Sequence, residues 1–237
     1  MPIGLSTRRG RTVSLEQGAG PSSQRCPACG EPLFAWVEAA GYGGREDQVI
    51  DRCENCGLVA ARNAIPSPEA AAETLMSGRE RRGERVVVRA ANAASLQAWL
   101  GAENWAALSP NINRVGPGGA PSHYGIEPTP RALRLLLARR GLEVRRVRYL
   151  VRPGMASMWQ TLLNLLTFHR DFASEAASGR LRPGTGRGLA AFSIDAVITV
   201  LAAIPTAFLA AFLESGAVLV RRGGVVEVLA EPLPPTD

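Results

Sequence analysis

Cys26-Pro27-Ala28-Cys29-Gly30 and Cys53-Glu54-Asn55-Cys56-Gly57 are the two stretches that decide how this chain is read. Each is a Cys-x-x-Cys-Gly knuckle. Two thiolates at this spacing reach one ion from a single turn, and the following glycine relieves the backbone so that amides can hydrogen-bond the sulfurs. Two knuckles together complete a tetrahedral set of four sulfurs. Cys26, Cys29, Cys53 and Cys56 are therefore read as the ligands of a structural zinc ion, with no coordination position left open for catalysis. The competing reading is a redox Cys-x-x-Cys pair. Two matched copies, with no thioredoxin-like strand before them, speak against it. Between the knuckles, Phe34, Trp36 and Val37 alternate as a strand, and Gly41-Tyr42-Gly43-Gly44 supplies a hairpin turn.

The rest of the composition sets limits. The chain has 237 residues, 46% hydrophobic and 20% charged, with four cysteines. That is enough to bury a core, and it excludes a disordered polymer, a collagen-like chain and a disulfide-dense secreted scaffold. Net charge is +6, and all 27 basic residues are arginine. Without lysine there is no Schiff base and no P-loop lysine. The first residues are basic with no apolar stretch behind them, so they do not read as a signal peptide, and a reducing cytoplasm is expected.

Outward from the knuckles, residues 1–24 read as a disordered, polar N-terminus and 25–62 as the zinc ribbon. Residues 63–154 read as a shortened α/β domain. Ser67-Pro68-Glu69 caps a helix through Leu75 and Met76, and Val86-Val87-Val88 marks a buried strand. Residues 91–128 read as irregular, anchored by Trp99 and Trp105. Thr129-Pro130 opens a helix with Leu133, Leu136 and Leu137 on one face, ended by Gly141. Leu142, Val144 and Val147 then form a strand. Residues 155–222 read as a hydrophobic helical segment, and 223–237 as a last strand (Val225, Val226, Val228, Leu229) and tail.

The segment from Arg85 through Ala91-Asn92 and Ser95, then Trp105, His123-Tyr124, and Thr129-Pro130 on to Gly141-Leu142, resembles the C-terminal half of class I SAM-dependent methyltransferases. Ala91-Asn92 stands where that family usually has Pro-Asn, and Gly141-Leu142 where it has Gly-Phe. A group of these enzymes carries an N-terminal zinc ribbon, which Cys53 to Val59 resembles. The resemblance implies a partial Rossmann-like sheet in the α/β class, with His123 facing an acceptor pocket as a general base. The alternative is an ordinary loop histidine bonded to backbone. The resemblance also implies a Gly-rich turn and an acidic strand end that hold SAM. Here the chain passes from the ribbon almost directly to the late strands, and roughly a hundred residues of that nucleotide-binding half are missing. Gly184-Thr185-Gly186-Arg187-Gly188 has no strand before it and does not replace the motif. Gly116-Pro117-Gly118-Gly119 reads as a turn. His169 marks the polar end of an apolar helix.

Ala196 to Leu213 carries no charge. As a helix it reaches roughly 27 Å, close to the hydrocarbon thickness of a bilayer. Pro205 at its centre predicts a kink or break. Asp195 and Glu214 bracket it, and arginines flank both sides (Arg180, Arg182 and Arg187 before, Arg221 and Arg222 after). That pattern favours an embedded hairpin with both ends in the cytoplasm over a true span or a buried helix. Residues 155–168 extend the same apolar surface. The clusters Arg79 to Arg85 and Arg139 to Arg148 are interrupted by Glu80, Glu84 and Glu143 and contain no stacking aromatics. They fit a solvated face or anionic lipid head groups better than nucleic acid.

These readings lead to a methyltransferase-like, membrane-associated zinc-ribbon protein whose SAM site needs a partner chain or a second copy. The alternatives are a non-catalytic zinc-ribbon interaction module at a membrane, and an arginine-rich zinc protein binding nucleic acid. SAM binding separates the first two, and steeply salt-dependent DNA or RNA binding would mark the third.

Overall fold

A computed structural model describes residues 21–39, 48–77, 80–82, 85–102, 105, 125–151, 156–168, 172–177 and 187–233. Strands β1 (Pro21–Arg25), β2 (Pro32–Ala39), β3 (Gln48–Cys53) and β4 (Val59–Ala61) form the knuckle sheet, and β7 (Ile126–Glu127) joins it beside β4. A second sheet has the order β5 (Glu80–Arg82), β6 (Arg85–Ala91), β9 (Val225–Pro232), β8 (Leu142–Leu150). The helices are α1 (Pro68–Ser77), α2 (Leu96–Leu100), α3 (Pro130–Ala138), α4 (Ala156–Asn164), α5 (Phe172–Ala177) and α6 (Arg187–Leu219).

The local signals explain most of these elements. Ser67 Oγ accepts the Ala70 amide at 3.2 Å and starts α1. Thr129 Oγ1 accepts the Ala132 amide at 3.2 Å and starts α3, with Pro130 in its first turn. Leu133, Leu136 and Leu137 are fully buried on one face of α3. Gly141 then takes φ 68°, the left-handed conformation that ends a helix. On the second sheet, Val86, Val88 and Ala90 lie opposite Ala230, Val228 and Val226 and turn inward. One core joins both sheets: Cys53, Leu58 and Ala60 pack in the same cluster as Leu75, Val88, Leu133 and Val228.

Four expectations change. Residues 21–24, expected to be disordered, belong to β1, which pairs with β2, because an edge was open beside Phe34. Residues 91–128, expected to be irregular, contain α2 and β7. Ser95 Oγ caps α2 by accepting the Ala98 amide at 3.1 Å, and β7 finds its partner across the chain in β4. Pro205 neither breaks nor reverses the apolar run, and α6 is helical throughout its 33 residues. Trp159 Nε1 donates to the Ala203 carbonyl at 2.9 Å and Thr206 Oγ1 to the Ala202 carbonyl at 2.6 Å, so side-chain donors support the helix backbone beside the proline. Finally, every strand pairing is antiparallel, and a Rossmann-like sheet is not shown among the described residues. The end strand inserts at the centre of the second sheet, between β6 and β8, and imposes antiparallel pairing on both.

Candidate metal centre and apolar helix

The two knuckles converge. Cys26 Sγ lies 3.5 Å from Cys56 Sγ, Cys29 Sγ lies 3.4 Å from Cys53 Sγ, and all four sulfurs fall within 4.8 Å of one another. A tetrahedron with Zn–S bonds of about 2.3 Å has S···S edges of about 3.8 Å. The four sulfurs fit that cage. The short contacts run between knuckles rather than within them, and all four cysteines are free thiols. This is one shared donor set, not two separate dithiols.

Backbone bonds build each knuckle alike. Cys26 N–H donates to the Glu31 carbonyl and Gly30 N–H to the Cys26 carbonyl, both at 2.8 Å. Cys53 N–H donates to the Leu58 carbonyl and Gly57 N–H to the Cys53 carbonyl, both at 2.9 Å. Gly30 and Gly57 take φ 81° and 73°, so the glycine of the motif is a conformational requirement. The electrostatics are those of crowded thiols. A hydrogen bond from Cys56 holds the Cys26 thiol down at about 5. Donating that bond pushes Cys56 well up, and burial raises Cys53. Without a cation, four thiolates cannot share this space, and a metal taking it would displace protons.

The second knuckle is tied to the helix that packs on the second sheet. Thr129 Oγ1 donates to the Cys56 carbonyl while accepting the Ala132 amide, so one hydroxyl links the knuckle to the start of α3. Its methyl faces Gly57, where a Cβ would lie 2.8 Å from Thr129 Cγ2. On the other side of the ribbon, buried Asp51 accepts from Arg62 Nη2 at 2.7 Å and from Arg62 Nε at 3.1 Å. The carboxylate raises the Arg62 guanidinium above its usual range. Trp36 meets Trp105 edge to face at 6.0 Å, and Arg52 sits 5.2 Å over the Trp36 ring. Trp105 is fully buried, as an anchor should be, whereas Trp99 is 55% exposed.

Arginines of both clusters meet on one face. On the outer face of the second sheet, acids of the central strand meet arginines from both neighbours. Glu231 accepts from Arg85 at 2.8 Å and Arg145 at 3.2 Å, and Glu227 accepts from Arg89 at 2.7 Å. Arg85, Arg146 and Arg148 also line a shallow groove of about 280 Å³ floored by Val87 and Leu229. This is a cross-strand ladder of surface ion pairs, each worth little.

α6 is the other outstanding feature. From Ala190 to Leu219 it is a 30-residue stretch whose most apolar 18 residues have a mean hydropathy of 2.3, long and apolar enough to cross a membrane. Phe208, Phe212 and Val200 are each 75% exposed. Asp195 and Glu214, which bracket the uncharged run, are fully buried. Phe168 N–H donates to Asp195 Oδ1 at 2.7 Å. Gln97 Nε2 and Gly224 N–H donate to the two oxygens of Glu214 at 2.8 and 2.7 Å. These clamps were not read from the sequence. Their only signal was an acid at each end of an uncharged stretch.

His123 and His169 lie outside the described residues, as do Gly41–Gly44, Gly116–Gly119 and Gly184–Gly186. Among the described residues the cysteines are the one cluster of metal-ligating side chains, and no Gly-rich turn follows a strand to receive SAM. No family model, no curated protein and no solved structure matches the chain.

Proposed function

We propose that this protein is a zinc-stabilised protein of mixed helix and sheet that works at the cytoplasmic face of a membrane, docked by α6. Cys26, Cys29, Cys53 and Cys56 hold the zinc, which supplies four strong bonds that fix the two knuckles and the sheet between them. With four thiolates bound, the ion has no position for substrate. The observation that carries the docking is the apolar circumference of α6, exposed along nearly its whole length. A soluble monomer rarely leaves so much contiguous apolar surface to water. Arg221 and Arg222, exposed immediately after the helix, suit anionic head groups. Flotation of zinc-loaded protein with vesicles of phosphatidylcholine and phosphatidylglycerol tests the reading. Co-flotation is expected, stronger with the anionic lipid, and protein that stays in the dense fraction without detergent would refute it. A chelator is expected to release one zinc per chain, and none released would sink the metal assignment.

A second reading is a methyltransferase-like protein acting near a lipid-linked acceptor, with its donor site completed by a partner or a second copy. One observation favours it. β6 and β8 both run antiparallel to β9 and so are parallel to each other, with α3 in the connection between them. That leaves half of an α/β unit around the inserted strand. Calorimetric titration with SAM and S-adenosylhomocysteine tests it. Micromolar binding would support it and make His123 the first residue to mutate; no binding by the chain alone leaves only a partner-dependent site, sought by repeating the titration with membranes.

A further inference from the structure

We infer that α6 lies in the plane of a single leaflet, with its narrow protein-facing stripe turned toward the body and the remaining circumference in lipid. The inference rests on the membrane reading above and adds its geometry. The first argument is parity. The chain leaves the second sheet at Leu150 and re-enters it at Val225, and these two residues are register partners on adjacent strands. Whatever lies between must leave and return on one side of the membrane. Among the described residues only α6 is long and apolar enough to cross. A single crossing would place Leu150 and Val225 on opposite sides, so α6 does not cross.

The second argument is the stripe. Asp195, Thr206, Ala210, Glu214 and Ala217 are the buried residues of α6, at spacings that keep to one face. The body holds that face from end to end. Phe168 binds Asp195, Trp159 binds the Ala203 carbonyl, and Gln97 and Gly224 bind Glu214. Asp195 and Glu214 are separated by about 28 Å of helix, nearly the full hydrocarbon thickness. Were α6 upright in a bilayer, its partners would stand in hydrocarbon too. α4 has nine residues, α5 six and α2 five. Each is too short to span, and each would leave helix-end amides and carbonyls without partners in lipid. With α6 in the plane, these short helices stay at head-group level. Trp99, exposed two residues from Gln97 on the helix that holds Glu214, has an amphipathic ring that favours the interface.

Single cysteines at exposed positions of the full chain, Val197→Cys, Ile204→Cys, Phe208→Cys and Phe212→Cys, carry a spin label after zinc loading protects the native thiols. Bound to phosphatidylcholine–phosphatidylglycerol vesicles, their depths are read from oxygen and nickel-chelate accessibility. The labels are expected at one common depth, about 5–10 Å below the phosphates. A profile that deepens toward the middle, to about 15 Å, and rises at both ends would overturn the inference while leaving membrane docking intact. Failure of the unsubstituted chain to float would remove the docking reading itself, and this inference with it. Neutron reflectometry of unsubstituted protein on a supported bilayer needs no variant. Protein density confined to the outer part of one leaflet is expected, and density through both leaflets would overturn the inference.

Discussion

Replacing Thr129 by valine keeps the shape of the side chain and deletes one hydroxyl that does two jobs. It caps α3 through the Ala132 amide and donates to the Cys56 carbonyl. Loss of an N-cap costs about 1 kcal/mol. Leaving the knuckle carbonyl without its buried donor adds about 1–3 kcal/mol. Thr129→Val is therefore expected to lose about 2–4 kcal/mol, or roughly 5–15 °C in Tm for a chain of this size. Thr129→Ser keeps the hydroxyl and is expected to recover most of it. Calorimetric melts of zinc-loaded protein measure the loss, and repeating them after chelation tests the link. If the hydroxyl joins knuckle to helix, zinc removal and Thr129→Val are non-additive, because each weakens the same junction. A Thr129→Val protein melting within a degree or two of the parent, or losses that simply add, would refute the reasoning.

Three other outcomes are expected. Gly57→Ala meets both a φ of 73° and the Thr129 methyl at 2.8 Å, whereas Gly30→Ala meets only its φ of 81° in open space. Each is expected to cost about 1–2 kcal/mol for the backbone, with Gly57→Ala the worse of the two in urea titrations. Arg62→Ala leaves Asp51 buried without its partner, an expected loss of about 3 kcal/mol, and Asp51→Asn in the same background is expected to restore part of it in thermal melts. Arg221→Ala with Arg222→Ala is expected to weaken binding to anionic vesicles by about 1 kcal/mol per charge, and to flatten its salt dependence, in a sedimentation assay.

The legible parts of this fold were those written in local chemistry. The Cys-x-x-Cys-Gly spacing announced both knuckles, and the structure brings all four sulfurs together. Thr129-Pro130, the leucine face and Gly141 announced α3 with its ends. What could not be read were the long-range partners. Nothing in Ile126-Glu127 says that it will extend the knuckle sheet, and a strand of two residues carries no periodicity. Pro205 misled because proline's cost is judged against an isolated helix, whereas here the body holds α6 on both sides of the proline, at Asp195, at the Ala203 carbonyl and at Glu214. Trp99 reads as an anchor in the sequence, but its side chain is exposed. Asp195 and Glu214 looked like the ends of a lipid-facing run and proved to be its attachment points.

The place of β9 has a consequence for how the chain comes to be folded. β6 and β8 never touch as neighbours; each waits for a strand that follows α6 in the chain. Until β9 arrives, two edges with unpaired amides and carbonyls stand open, and Val88 has no Val228 opposite it. Contacts between positions so distant in sequence form slowly. The apolar helix is therefore synthesised while the sheet is still incomplete, and the intermediate exposes both sticky edges and bare hydrocarbon-like surface. Capture of α6 by a bilayer at that moment would shield the surface and hold the closing strand near its slot, so lipid present during refolding is expected to raise the yield of native protein rather than merely bind what has already folded.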